Sequence, residues 1–185
     1  MKYKRLFIQN SYLHLVMITY QRKPILIKKI DLLRESFKNA KQFFNFEIFG
    51  VCVLPDHIHL ILRPENINEY PKIITSIKYY FFHRFNEVGV ETPTYNQNSL
   101  TTYGYKNKLE KGIWQRRYWE HTIKDDEDLY KHLDCIHYNP VKHGLVKNVK
   151  DWEHFSFEKF VEMKNYDLDW GSSEDIKHIE TLDYD

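Results

Sequence analysis

Residues 46 to 64 read FEIFGVCVLPDHIHLILRP, two apolar runs broken only at Pro55-Asp56. A link that short cannot carry a parallel crossover, so the runs are expected to pair as antiparallel strands. Along the second run side chains alternate between faces, which puts His57 and His59 on one side and Ile58 on the other. Their roots lie about 7 Å apart, close enough for two imidazoles to converge on one ion. The structural alternative is a half-buried pair satisfied by hydrogen bonds.

The remaining elements fall around this hairpin. SYLHLVMITY (11–20) is apolar and β-branched and stops at QRKP, as a buried strand would. ILIKKIDLLRESFKNAKQFF follows with Ile27, Ile30, Leu33, Phe37 and Phe44 at helical spacings. A second helix is expected over 70–86, with Lys72, Lys78 and Arg84 among aromatic residues. Residues 88–110 are polar and turn-rich and read as a loop or small insertion. GIWQRRYWEHTI then restarts a strand pattern, and KDDEDLYKHLDCIHYNP opens with acidic residues suited to a helix N-terminus and closes on a proline. The order predicts an α+β sandwich, helices packed on a mainly antiparallel sheet.

At 185 residues with 42% hydrophobic content the chain can bury a full core, and no stretch is apolar enough for a membrane span. The N-terminal residues lack a secretory signal pattern, so the cytoplasm is the expected location. Cys52 and Cys135 are too few for a disulfide framework or a four-thiolate metal site. The net charge of +1 hides a division: residues 1–150 hold 24 Lys and Arg against 15 Asp and Glu, whereas residues 151–185 hold 3 against 11. A basic body with an acidic tail points to nucleic-acid contact, the alternative being two solvated surfaces of opposite sign. The expected division is a domain over 1–150 and an acidic extension over 151–185, packed on it or flanking it.

Pro55-Asp56-His57-Ile58-His59-Leu60, WQRRYWEHTI, IHYNPVKHG and the later DWEHFSF and DWG, taken in that order, resemble the REP-associated tyrosine transposases of bacteria, IS200-like members of the HUH endonuclease superfamily. The resemblance runs to about Gly171. It implies a ferredoxin-like core and a partner that is single-stranded DNA carrying an imperfect hairpin, cut and rejoined beside that hairpin without ATP. It further implies that His57 and His59 bind Mg²⁺ or Mn²⁺, that Asn139 helps, and that a tyrosine attacks the phosphate to give a 5′-phosphotyrosine. The chemistry agrees with the residues: phosphodiester cleavage needs charge neutralised at the nonbridging oxygens, and an ion with open positions supplies it. Two imidazoles are only part of a shell, so a third polar ligand is expected.

The family's nucleophile stands four residues before that asparagine, and here the position is Cys135. Tyr138 lies about 60° round the helix and about 4.5 Å along it, and Tyr130 lies near the opposite side. Three readings stay open: cleavage lost or severely weakened, rescue by Tyr138, or attack by the thiol. Because of Cys135 the leading reading of a DNA-cutting transposase has as its alternative a hairpin-binding protein that does not cut. Arg116, Arg117, Lys142, Lys78 and Arg84 are the candidate DNA contacts, while Trp114 and Trp119 either stack on bases or pack in the core. His121 and His137 are candidate supports of the site, with a purely structural role as the alternative. A monomer is slightly favoured.

Overall fold

The computed structural model describes residues 7–86 and 113–171, so the stretch expected as a loop over 88–110 lies outside the described residues. Four strands, β1 (Leu13–Ile18), β2 (Phe46–Val53), β3 (His57–Pro64) and β4 (Trp119–Thr122), form one sheet in the order β2-β3-β1-β4, every neighbouring pair antiparallel. Helices α1 (Ile30–Lys41) and α2 (Tyr70–Asn86) complete the β-α-β-β-α-β order, followed by α3 (Asp126–Lys142) and the short α4 (Phe157–Glu162). This is the expected α+β, ferredoxin-like sandwich.

Alternation along the strands sorts the side chains into two layers. Leu13, Leu15 and Met17 of β1 and Ile58, Leu60 and Leu62 of β3 face Leu33 of α1 and Ile74 and Phe81 of α2 in the main core. The other face gives Cys52 and Ile61 to a second core with Leu133 and Ile136 of α3 and Phe160 of α4. Both faces are covered, which is why β1 and β3 read as nearly continuous apolar runs. Each fully buried Leu or Ile is worth about 1.5–3 kcal/mol, so the two layers together hold the sheet between its helices. The histidines lie on the α3 face.

Two local features bring α3 down onto that face. Gly50 sits just after a register shift in β2, and a Cβ built there would lie 2.6 Å from Leu133 Cδ1. Any side chain there would have to push aside the end of Leu133, so glycine lets the helix face pack directly on the strand. At the start of α3, Asp125 accepts a hydrogen bond from Asp128 N at 2.8 Å while Asp128 Oδ2 accepts one from Lys124 N at 3.0 Å, a reciprocal cap. The helix does not end at the proline, as its sequence suggests, but runs through Pro140 to Lys142 and stops at Gly144, whose φ of 66° supplies the left-handed residue.

The expected strand over 112–123 is shorter, limited to Trp119–Thr122 with one isolated bridge between Thr19 and Trp114. Beside the interruption the Lys78 ammonium donates to the Gln115 carbonyl at 3.1 Å. Within the acidic extension, Val53 N donates to His154 O at 2.8 Å and Ser156 N donates to Val51 O at 2.9 Å. These bonds cover the outer edge of β2, an edge that would otherwise invite pairing with another chain.

Candidate active site

β3 presents His57 and His59 on the α3 face, both buried, with ring centroids 5.0 Å apart. His57 Nδ1 lies 2.6 Å from Asp56 Oδ1, so the ring proton sits on Nδ1 and the Nε2 lone pair points inward. Burial alone would raise the Asp56 carboxyl, but the hydrogen bond from His57, aided by Arg22, holds it below the usual carboxylate value. Asn139 of α3 reaches the second histidine: its Nδ2 donates to His59 Nε2 at 2.7 Å. The same tautomer logic puts the His59 proton on Nδ1, which lies 3.2 Å from His14 Nε2 of β1.

The chain of rings continues past the expected pair. His14 Nδ1 lies 2.8 Å from His132 Nδ1, and His132 Nε2 lies 3.4 Å from Asp128 Oδ1. Asp128 Oδ2 in turn accepts from His121 Nε2 at 2.8 Å. Burial, then the nearby charge of His121, pushes His132 down to about 4, so that ring is neutral at pH 7. Burial would raise the Asp128 carboxyl, but the bonds from His121 and Lys124 N, with the charge of His121, hold it below its ordinary value. Asn139, His59, His14 and His132 thus form one directional hydrogen-bonded row across the sheet, and its last ring lies against the Asp128 carboxylate.

The donor set fits a divalent ion. In His57 the Nδ1 proton is held by a neighbouring acceptor, the outer partner that metal-binding histidines use to fix their orientation, and His14 stands in that place for His59. Asn139 Oδ1 is buried with no hydrogen-bond partner among the described residues. Turning that amide end for end would present oxygen, the harder ligand, to the same place. His57 and His59 with Asn139 would then offer two nitrogens and one oxygen, leaving positions open for phosphate and water.

Four likenesses to known proteins bear on this arrangement. The family model described as "Transposase IS200 like" matches residues 7–132. A REP-associated tyrosine transposase of Escherichia coli is 32% identical over 91% of this chain and 90% of its own. A Haemophilus influenzae protein assigned to the same group is 39% identical over 95% of this chain and 96% of its own. The chain belongs to the REP-associated tyrosine transposases. A solved structure of such a transposase bound to a REP hairpin superposes with a TM-score of 0.76 at 30% identity, covering 94% of this chain and 92% of the other.

For a REP-associated tyrosine transposase the placement of Cys135 matters most. It is buried on α3 one turn before Asn139, about 40° from it round the helix, on the side of the histidine row. Tyr138 is half-buried and turned toward the C-terminal segment, where a Cβ on Gly171 would sit 3.8 Å from its Cδ2. Tyr130 is exposed. Arg116 and Arg117 are exposed just after Gln115, whose N–H donates to Ile18 O; Ile18 is the cross-strand partner of His57. Lys142 is exposed one turn beyond Tyr138.

The two basic residues of α2 named as DNA contacts, Lys78 and Arg84, lie away from the histidines. Lys78 is buried, its Nζ 5.8 Å from the Trp114 ring centre and 5.4 Å from that of Tyr118, and burial pushes its ammonium down to about 7. Arg84 lies over Tyr80, on the helix that covers the opposite face of the sheet from the histidines. Helical spacing gave their charge but not their face. Trp114 is core, packed edge-on against Phe81, whereas half-buried Trp119 lies edge-on to His14 and parallel to His121. His137 bonds Ser156 Oγ at 3.0 Å among Phe155, Phe157, Phe160 and Tyr166, tying α3 to the C-terminal segment. Burial pushes it down to about 3.

Sequence reasoning passed over His14, His132, His143 and the role of Asp56. His143 stands with its ring 5.1 Å from that of His57. A signal existed for two of them: His132 and His143 lie seven residues before and four after Asn139, on one helical stripe. His14 needed the strand pairing.

Proposed function

We propose that the chain binds single-stranded DNA folded into a hairpin, holds the phosphate beside it at a divalent ion carried by His57, His59 and Asn139, and cuts weakly or not at all because Cys135 stands in the nucleophile position. The observation that carries this reading is the 2.7 Å contact between Asn139 and His59, with Cys135 one turn earlier on the same helix. The likeness to the hairpin-bound transposase supports the DNA class. When bound, the ion would neutralise charge on the phosphate oxygens; Mg²⁺ and Mn²⁺ both suit it. His57 and His59 would fix its position, Asn139 would close the set, and exposed Arg116, Arg117 and Lys142 would hold flanking phosphates. A thiol there falls several ångströms short of a phenol oxygen, and in-line attack tolerates little misplacement.

The test uses a labelled hairpin oligonucleotide with a single-stranded flank and denaturing electrophoresis. The natural chain should bind the hairpin over a scrambled strand and leave no covalent adduct. Cys135→Tyr should form one: its phenol oxygen attacks phosphorus, the P–O3′ bond breaks and the 3′ hydroxyl departs with a proton. If the natural chain already forms an adduct that Tyr138→Phe abolishes, Tyr138 is the nucleophile; if Cys135→Ser abolishes it, the thiol is. Failure to prefer the hairpin overturns the reading.

A further inference from the structure

We propose that His121, Asp128 and His132 form a second divalent-cation site, and that His14 makes its occupancy and that of the His57–His59 site mutually exclusive. One ligand atom from each of the three residues lies within 4.8 Å of the others, His121 Nε2 being 2.8 Å from Asp128 Oδ2 and His132 Nε2 3.4 Å from Asp128 Oδ1. Around a four-coordinate ion with ligands at about 2.0–2.2 Å, neighbouring ligand atoms lie about 3.3 Å apart, so small side-chain shifts seat an ion among them. The carboxylate is pinned by the helix cap through Lys124 N, and His132 is fixed from behind by His14. Two imidazoles and one carboxylate favour a borderline transition metal such as Zn²⁺ or Co²⁺ over Mg²⁺. His121 and Asp128 are half-buried, leaving an open side for water or a phosphate oxygen.

The exclusion follows from counting ring protons. His132 Nδ1 faces His14 Nδ1 at 2.8 Å, and His14 Nε2 faces His59 Nδ1 at 3.2 Å, so each gap holds one proton. An ion on His132 Nε2 leaves that ring's proton on Nδ1, where it donates to His14 Nδ1. His14 then carries its own proton on Nε2 and donates it to His59 Nδ1. His59 is left with its proton on Nε2, the atom the first site needs as a lone pair. An ion on His59 Nε2 reverses every step and puts a proton on His132 Nε2. The second site stands without the nuclease reading; only the exclusion rests on the first site.

Calorimetric titration of the full chain with Co²⁺, alongside its visible absorption, tests both parts. His57→Ala/His59→Ala should still bind one ion with a low-coordinate nitrogen–oxygen spectrum, and adding His121→Leu should abolish it. No binding by the double variant, or binding that survives His121→Leu, overturns the second site. The natural chain should take one ion at Co²⁺ concentrations that fill both sites of His14→Leu; two ions bound there overturn the exclusion. His14→Leu should admit two. Where that variant does not fold, imidazole ¹⁵N shifts in His57→Ala replace it: Zn²⁺ at the second site should convert His59 to the Nε2–H tautomer, and an unchanged His59 overturns the relay.

Discussion

Asn139 donates to His59 Nε2 across 2.7 Å, joining helix α3 to strand β3 over 80 residues of chain. The bond sets two things at once. It holds the helix face that carries Cys135 against the histidines, and it dictates which nitrogen of His59 bears the proton. Five consequences of this assembly, and of the residues around it, can be measured.

Asp56→Asn should weaken Mn²⁺ binding about 10- to 100-fold while leaving the fold intact, because it removes the charged acceptor that orients His57. Isothermal titration reads the change directly. Unaltered affinity would mean that His57 does not bind through Nε2.

Gly50→Ala should cost about 1 kcal/mol in urea unfolding, since the new methyl meets Leu133 Cδ1. Leu133→Ala opens the space, so the double variant should lose less than the two single losses combined. Mn²⁺ affinity should fall with Gly50→Ala as well, because α3 carries Asn139.

Lys78 gives the protein a pH dependence of definite sign. Its folded-state value of about 7 lies below its ordinary 10.5. Between these values the unfolded chain binds a proton that the folded chain does not, so stability should rise with pH from 7 toward 10.5, by up to about 1.4 kcal/mol per unit. Below pH 7 both forms are protonated and this contribution is flat. Urea midpoints at pH 7, 8 and 9 should show the rise in the natural chain and lose it in Lys78→Met.

Replacing Arg116 and Arg117 together with Ala should lower the slope of log affinity against log salt for a hairpin strand by about 1.4, the release expected for two single-strand phosphate contacts. Lys78→Met should leave that slope alone. An equal effect of both changes would place Lys78 at the DNA surface and contradict its burial.

Truncation after Gly171 tests whether the acidic tail shields the basic body. Residues 172–185 hold one Lys against five Asp and Glu. Their removal should tighten binding to a scrambled strand more at low salt than at high. Equal affinities at all salts would show that the tail does not compete with DNA.

The sheet was legible in the sequence because strand alternation and the short Pro-Asp link leave few ways to pair FEIFGVCV with HIHLILRP. The histidine pair was legible for the same reason, since a two-residue period fixes which side chains share a face. What escaped was anything that depended on one element meeting another. His14 looks like an interruption in an apolar strand until β1 is paired beside β3, and His132 becomes part of the row only when α3 packs over Gly50. Lys78 and Arg84 failed in the opposite direction: their spacing is helical and basic, but the helix buries one and puts the other across the sheet from the histidines.

The Asn139 bond also has an order in time. His57 and His59 leave the ribosome with the first hairpin, whereas Asn139 follows 80 residues later, after the stretch that must lie down as β4 and α3. An ion held by all three residues binds only the finished fold and shifts the equilibrium toward it. The nascent chain therefore exposes its basic N-terminal half to nucleic acid before the His57–His59–Asn139 set can close, and α3 is the element whose arrival closes it.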